Sequence, residues 1–270
     1  MNKKMFILKQ MRGVTDLGRV IAVTNQKGGV GKTTTSVNLA ACLAEKKKKV
    51  LLFDNDPQGN ATSGLGIEKK GLVKCVYDVL IKDEPLKDIV VKTEFDNLWV
   101  APATINLAGA EVDLVNKENR EYCLKLALEG VREDYDYVII DCPPSLSLLT
   151  INALTAADSI LIPIQCEFYA LEGVAQLMST AERIQEMFNP DLELEGILMT
   201  MSDTRTNLTN DVVSEVKKHF PALLYKTVIP RSVRLGEAPS FGQPINIYDS
   251  KSKGAEMYRA LAQEVLKRGH

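Results

Sequence analysis

The stretch Gln26-Lys27-Gly28-Gly29-Val30-Gly31-Lys32-Thr33-Thr34 constrains what this chain can fold into more than any other. It is preceded by residues 19–24, which are short, β-branched and apolar and read as a strand. It leads into residues 33–45, which place Val37, Ala40, Ala41 and Ala44 on one helical face. A strand that turns through a glycine loop into a helix makes a cradle for phosphate. Glycines let successive backbone N–H groups converge on phosphate oxygens, and the helix start adds a partial positive charge. Lys32 can then reach the outer phosphates while the Thr33 hydroxyl ligates Mg2+, so the implied ligand is ATP or GTP.

The usual pattern is G-x-x-x-x-G-K-[ST], but here the first glycine position is Gln26, followed at once by a second lysine, Lys27. Two lysines on one loop cannot easily serve the same phosphates twice over. The economical reading of Lys27 is a cation offered to another subunit's nucleotide; a solvated loop lysine is the alternative that chemistry alone leaves open.

With 270 residues, 45% of them hydrophobic, the chain can bury a large core, and its alternation of apolar runs with helical patterns predicts one α/β domain. A net charge of −2 argues against a protein that is basic all over, so nucleic-acid binding would need a local patch. Five cysteines (Cys42, Cys75, Cys123, Cys142, Cys166) with no C-x-x-C pair fit reduced core thiols rather than a disulfide or zinc framework. His219 and His270 have no partners at ligand or triad spacing. No apolar stretch approaches the roughly 20 residues of a membrane span, and the expectation is a cytoplasmic protein without a membrane partner.

Residues 1–18 lack the apolar core and small-residue cleavage site of a signal peptide and are expected to form a loose tail, with the folded domain covering 19–270. Apolar runs at 50–53, 98–101, 137–140, 159–164, 195–200 and 225–229 predict further strands. Helical patterns are expected at 76–81, 85–90, 106–115, 119–132, 171–188, 210–220 and 254–267, and residues 59–72 read as loop. Strand–helix alternation throughout predicts a doubly wound, mainly parallel sheet flanked by helices, and the phosphate loop of residues 26–34 makes the expected type a P-loop NTPase. Lys46 to Lys49 mark the end of the first helix, where cations favour the dipole. Asp54, Asp56 and Asp141 then fall at or just beyond the carboxyl ends of strands, where parallel sheets place their chemistry.

Five ordered motifs carry a resemblance over nearly the whole chain: NQKGGVGKTTTSVN (25–38), DNDPQGNATSGLG (54–66), DCPPSLSLLTINAL (141–154), YALEG (169–173) and IPRSVRLGEAP (229–239). Together they resemble the deviant Walker A superfamily of ParA and MinD, and within it the short Soj-type ParA partition ATPases. Members of this size begin with Met directly before the glycine that precedes the first strand, a place held here by Leu17. The expectation is that translation starts there.

The resemblance assigns the phosphates to Lys27, Gly28, Gly29, Val30, Gly31, Lys32, Thr33 and Thr34, with Lys27 crossing a nucleotide-sandwich dimer to the partner's phosphates. Lys27, Lys32 and Asp56 are the expected catalytic residues, Asp56 positioning the attacking water. Thr33, Asp54 and Asp141 are the expected Mg2+ set, Asp141 through a water of the metal shell. Pro230 and Ser232 are expected beside the base, although the family commonly has asparagine where Ser232 stands, which leaves fewer donors and acceptors. Arg205 and Arg234 match arginines that bind duplex DNA without sequence preference, and Lys217 and Lys218 could extend the patch. Two arginines per subunit in a dimer give an expected log–log salt slope of about −3.6.

The implied function is a partition ATPase for a chromosome or plasmid. ATP makes a homodimer that coats non-specific double-stranded DNA on the nucleoid, and a ParB-type centromere-binding protein stimulates hydrolysis and releases it. The alternative is a MinD-like membrane-cycling positioning ATPase, which needs a basic amphipathic tail with bulky apolar residues; residues 255–270 carry Glu256 and Glu264 and a modest apolar set.

Overall fold

The structure is a computed structural model that describes residues 17–167, 170–203 and 207–268. Its centre is β5 (Tyr137–Asp141), all five residues of which are buried. Such burial on both faces demands a continuous apolar run rather than alternation. β1 (Arg19–Val23) pairs with it in parallel on one side and β2 (Val50–Asp54) on the other. Beyond β2 lie β4 (Leu98–Ala101) and the two-residue β3 (Val91–Lys92); beyond β1 lie β6 (Ser159–Gln165), β7 (Glu193–Ser202) and β8 (Leu224–Pro230). The order among the described residues is β3-β4-β2-β5-β1-β6-β7-β8, parallel throughout except for β3 against β4. The sheet is therefore mainly parallel, as the alternating pattern predicts.

Helices cover both faces. α1 (Lys32–Glu45) and the C-terminal α11 (Lys253–Arg268) pack with Ile21, Val23, Leu52 and Ile139. On the other face Val20, Phe53, Val138 and Ile140 meet α3 (Val76–Lys82), α4 (Leu107–Asp113), α5 (Cys123–Glu129), α6 (Leu148–Ala156) and α7 (Ala170–Met187). All five cysteines are buried free thiols. The chain leaves β1 toward β2 but leaves β5 toward β6, so the loops after β1 and β5 diverge from adjacent strands. A crevice at the carboxyl ends results.

The structure differs from the sequence reading in several places, the unexpected β3, α9 (Val233–Glu237) and α10 (Ile245–Tyr248) among them. Residues 59–72 are not all loop, since α2 (Asn60–Gly64) forms one short turn separated from Asp56 by three residues. α6 was not predicted, because nearly every side of it is apolar or small and shows no stripe to read. The helix expected at 119–132 shrinks to α5, with Asn119 in left-handed backbone (φ 52°) before it and Gly130 after it. Residues 85–90 hold only a 3-10 turn, Leu86–Asp88. Residues 1–16 of the tail expected over 1–18, together with Tyr169, Arg205 and His270, lie outside the described residues.

Candidate nucleotide site at the strand ends

The loop between β1 and α1 carries the phosphate-cradle geometry. Gly29 and Gly31 have φ of 74° and 88°, backbone that side chains disfavour, and a Cβ on Gly29 would meet nothing within 4 Å on the open side. α1 starts at Gly31 with no side-chain cap and no acid in its first turn, so its leading N–H groups remain available to an anion. Lys27, Gly28 and Gly29 are exposed at the tip, while Val30 is buried and its carbonyl accepts from Thr200 Oγ1 at 2.8 Å. Asn25 pins the other shoulder, its Nδ2 donating to Pro163 O at 2.8 Å and its Oδ1 accepting from Lys27 N at 2.9 Å.

The two lysines are in different environments. Lys32 is only 7% exposed and its Nζ donates to Lys27 O at 3.0 Å. Burial lowers its pKa, against the opposing charges of Asp141, Cys142 and Asp56. Lys27 stays outside, with Nζ 2.6 Å from Glu167 Oε2 just beyond the end of β6, both side chains about half exposed.

The acids fall where the strands end. Asp54 and Asp141 are opposite one another in the β2–β5 register and fully buried. Burial pushes both carboxyls above the usual carboxylate range; for Asp141 the charge of Asp54 adds to it, with the Ser36 and Thr33 hydroxyls opposing. Ser36 Oγ donates to Asp141 Oδ1 at 2.8 Å, and Asp141 Oδ2 is buried without a hydrogen-bond partner. Asp54 is tied down: its Oδ2 accepts from Thr62 N at 2.7 Å and Thr62 Oγ1 at 2.6 Å, its Oδ1 from Asp56 N at 3.2 Å. Asp56 lies in the turn that follows, 8% exposed, with Oδ1 accepting from Gln58 N at 2.9 Å.

The donor set fits a magnesium nucleotide. Mg2+ is usually held by one or two carboxylates plus phosphates rather than by an all-protein cage. A buried, unpartnered Asp141 oxygen in the same cluster as Thr33 and Lys32 supplies that kind of site. A cavity of about 240 Å³ adjoins Gly31 and Thr34 and is walled by Met201, Ile229, Pro230, Ser232 and Tyr258. Pro230 and Ser232 thus share a cavity with the loop residues Gly31 and Thr34. A larger cavity of about 690 Å³ between α3 and α5 is lined by none of the phosphate-loop residues or strand-end aspartates.

Arg234, in α9 (Val233–Glu237), is exposed and paired with Glu237 at 3.0 Å and Asp249 at 3.6 Å. Lys217 and Lys218 end α8 (Asn207–His219). Sequence reasoning missed Ser36, Thr62, Thr200, Gln165 and Glu167. Ser36 had a signal, since it stands one helical turn after Lys32 on the same loop–helix. The others come from distant segments and acquire meaning only when the sheet assembles.

This sheet order, the glycine loop after β1 and the strand-end carboxylates define a P-loop nucleotide-binding protein. A family model described as an AAA domain matches residues 18–194. The sporulation initiation inhibitor protein Soj of Bacillus subtilis is 62% identical over 253 residues, which cover 94% of this chain and 100% of that protein. The chromosome partitioning protein ParA of Myxococcus xanthus is 54% identical, covering 95% and 91%. A crystal structure from Mycobacterium smegmatis, described as cobyrinic acid a,c-diamide synthase with bound ADP and magnesium, superimposes with a TM-score of 0.82 at 42% identity, covering 93% and 95%. The chain belongs to the Soj/ParA family of chromosome-partitioning ATPases.

Proposed function

We propose that this protein is an Mg2+-dependent partition ATPase whose ATP-bound form is a homodimer. The dimer binds double-stranded DNA without sequence preference and is released when a ParB-type partner stimulates hydrolysis. The observation that carries the reading is the division of labour between the two loop lysines. Lys32 is buried among the strand-end acids, whereas Lys27 projects from the exposed loop tip. A cation so placed serves a nucleotide presented from outside, which a second subunit provides.

Within one subunit, the Gly28, Gly29, Val30, Gly31 and Thr34 backbone and the Lys32 ammonium hold the phosphates. Thr33, Asp54 and Asp141 would hold the metal shell, Asp54 being fixed in place by Thr62. The chemistry Mg2+ would supply there is neutralisation of negative charge on the phosphates. Asp56, aimed by the turn that Asp54 fixes, orients the attacking water. Pro230 and Ser232 line the base cavity, and Arg234 with Arg205 contacts DNA phosphate.

The ADP and magnesium named for the M. smegmatis structure support the nucleotide. The partition names at 62% and 54% identity support the reading over the diamide-synthase name at 42%. Among the described residues no helix is long and apolar enough to cross a membrane. α11 also commits its apolar face, Ala255, Tyr258, Leu261, Ala262 and Val265, to the core. That placement favours DNA over the MinD-like alternative. The test is ATP turnover with duplex DNA and the ParB-type protein: stimulation by both together supports the proposal, and a flat response to both rejects it.

A further inference from the structure

Lys27 is not simply solvated. The carboxyl end of β6 holds the loop tip at three points: Asn25 on Pro163 O, Gln165 Nε2 on Gly29 O at 3.0 Å, and Glu167 on the Lys27 ammonium at 2.6 Å. Gln26 adds a fourth from α7, its Nε2 3.2 Å from Thr180 Oγ1. The loop backbone is therefore fixed, and the long Lys27 side chain is the part left to move. In this single chain its charge is satisfied by Glu167. To serve a partner's phosphates it has to leave that carboxylate.

We propose that Glu167 is a positioning residue for Lys27, holding the ammonium on its own chain until a second nucleotide-loaded subunit competes for it. The proposal rests on the trans role of Lys27 given above. The strength of the hold follows from exposure. Both partners are about half exposed, the regime in which ion pairs are weak and salt-screened. A weak hold suits the task. It raises the concentration at which subunits pair by roughly two- to fivefold, yet a triphosphate with more than one negative charge displaces it readily. A deeply buried pair would lock the monomer instead.

The experiment is sedimentation of the full chain in ATP and Mg2+ across a range of protein concentrations, for wild type, Glu167→Gln, Glu167→Asp, Lys27→Gln and the Lys27→Gln/Glu167→Gln pair. Glu167→Gln should lower the half-dimer concentration roughly two- to fivefold at low salt, with the gain vanishing at high salt. Glu167→Asp should restore the wild-type value, and in the Lys27→Gln background the Glu167 change should have no effect. Nucleotide affinity measured below the pairing concentration should be the same in wild type and Glu167→Gln, which separates this role from a structural one. If wild type dimerises and Glu167→Gln pairs equally or more weakly, the role assigned to Glu167 is overturned while that of Lys27 stands. If wild type stays monomeric with ATP, both assignments fall.

Discussion

Ser36 donates its hydroxyl to Asp141 Oδ1 at 2.8 Å, while Asp141 Oδ2, equally buried, accepts nothing. The hydrogen bond fixes the carboxylate's rotation and leaves one oxygen aimed into the cluster of Lys32 and Thr33. Asp141→Asn keeps the shape and removes the charge. It should lower Mg2+-dependent turnover by about 100-fold or more, the scale of a lost electrostatic group in an active site. The same variant should melt no lower than wild type without nucleotide at pH 8, because it deletes a buried charge from the folded state. Steady-state ATPase assays and thermal melts check both halves.

The raised Asp54 and Asp141 carboxyls give a pH dependence with a definite sign. The folded, nucleotide-free protein keeps protons on these groups at pH values where the unfolded chain has released them, above about pH 4. Stability contributed by this pair is present below that pH and is lost as pH rises through the folded-state pKa values. Mg2+ with nucleotide favours the ionised carboxylates, so its binding should release protons. Its stabilisation should grow between pH 6 and pH 8, read as the difference in Tm with and without Mg-ADP. A ligand-induced gain that shrinks over that interval would contradict the metal assignment.

Gly66, two residues beyond α2, and Gly242 meet backbone to backbone. A Cβ on Gly242 would lie 2.6 Å from Gly66 Cα, and Gly242 has φ of 62°. Gly242→Ala therefore introduces overlap as well as backbone strain, worth about 1–3 kcal/mol. The melting temperature should fall by about 2–10 °C. Because Gly66 follows α2, which holds Asp54 through Thr62, turnover should fall as well at temperatures where the protein remains folded.

At the opposite end of the sheet Glu195 is buried in β7 with three partners, Arg19 at 2.6 Å, Ser159 Oγ at 2.8 Å and the Tyr225 hydroxyl at 3.0 Å. Glu195→Ala strands the Arg19 guanidinium and should destabilise by about 3–5 kcal/mol. Nucleotide affinity of the protein that still folds should be unchanged, since the network lies far from the loop. Urea unfolding and ADP titration separate the two effects.

Much of this fold could be read from residues alone because a parallel sheet buries both faces of its strands. Runs such as Val138, Ile139 and Ile140 therefore announce themselves. The phosphate loop was legible for a different reason: contiguous residues make it, so its chemistry and its spacing coincide. What escaped was assembled from afar or had no periodicity. β3 is two residues long, and α6 is apolar on nearly every side. Thr62, eight positions from Asp54, reads as a turn residue until it is seen to hold that carboxylate. Glu167 is 140 positions from Lys27, and nothing local in either segment marks the ion pair.

The most direct measurement is retention of non-specific duplex DNA by the Asp56→Ala protein with ATP and with ADP, at about 50 and 200 mM salt. A variant that binds ATP but cannot position water should stay paired. Binding should appear with ATP alone, weaken roughly 150-fold between the two salt concentrations for about four phosphate contacts, and fall further with Arg234→Ala. DNA retention that is the same with ATP and ADP, or an ATP-bound dimer that leaves DNA free, would contradict the proposed function.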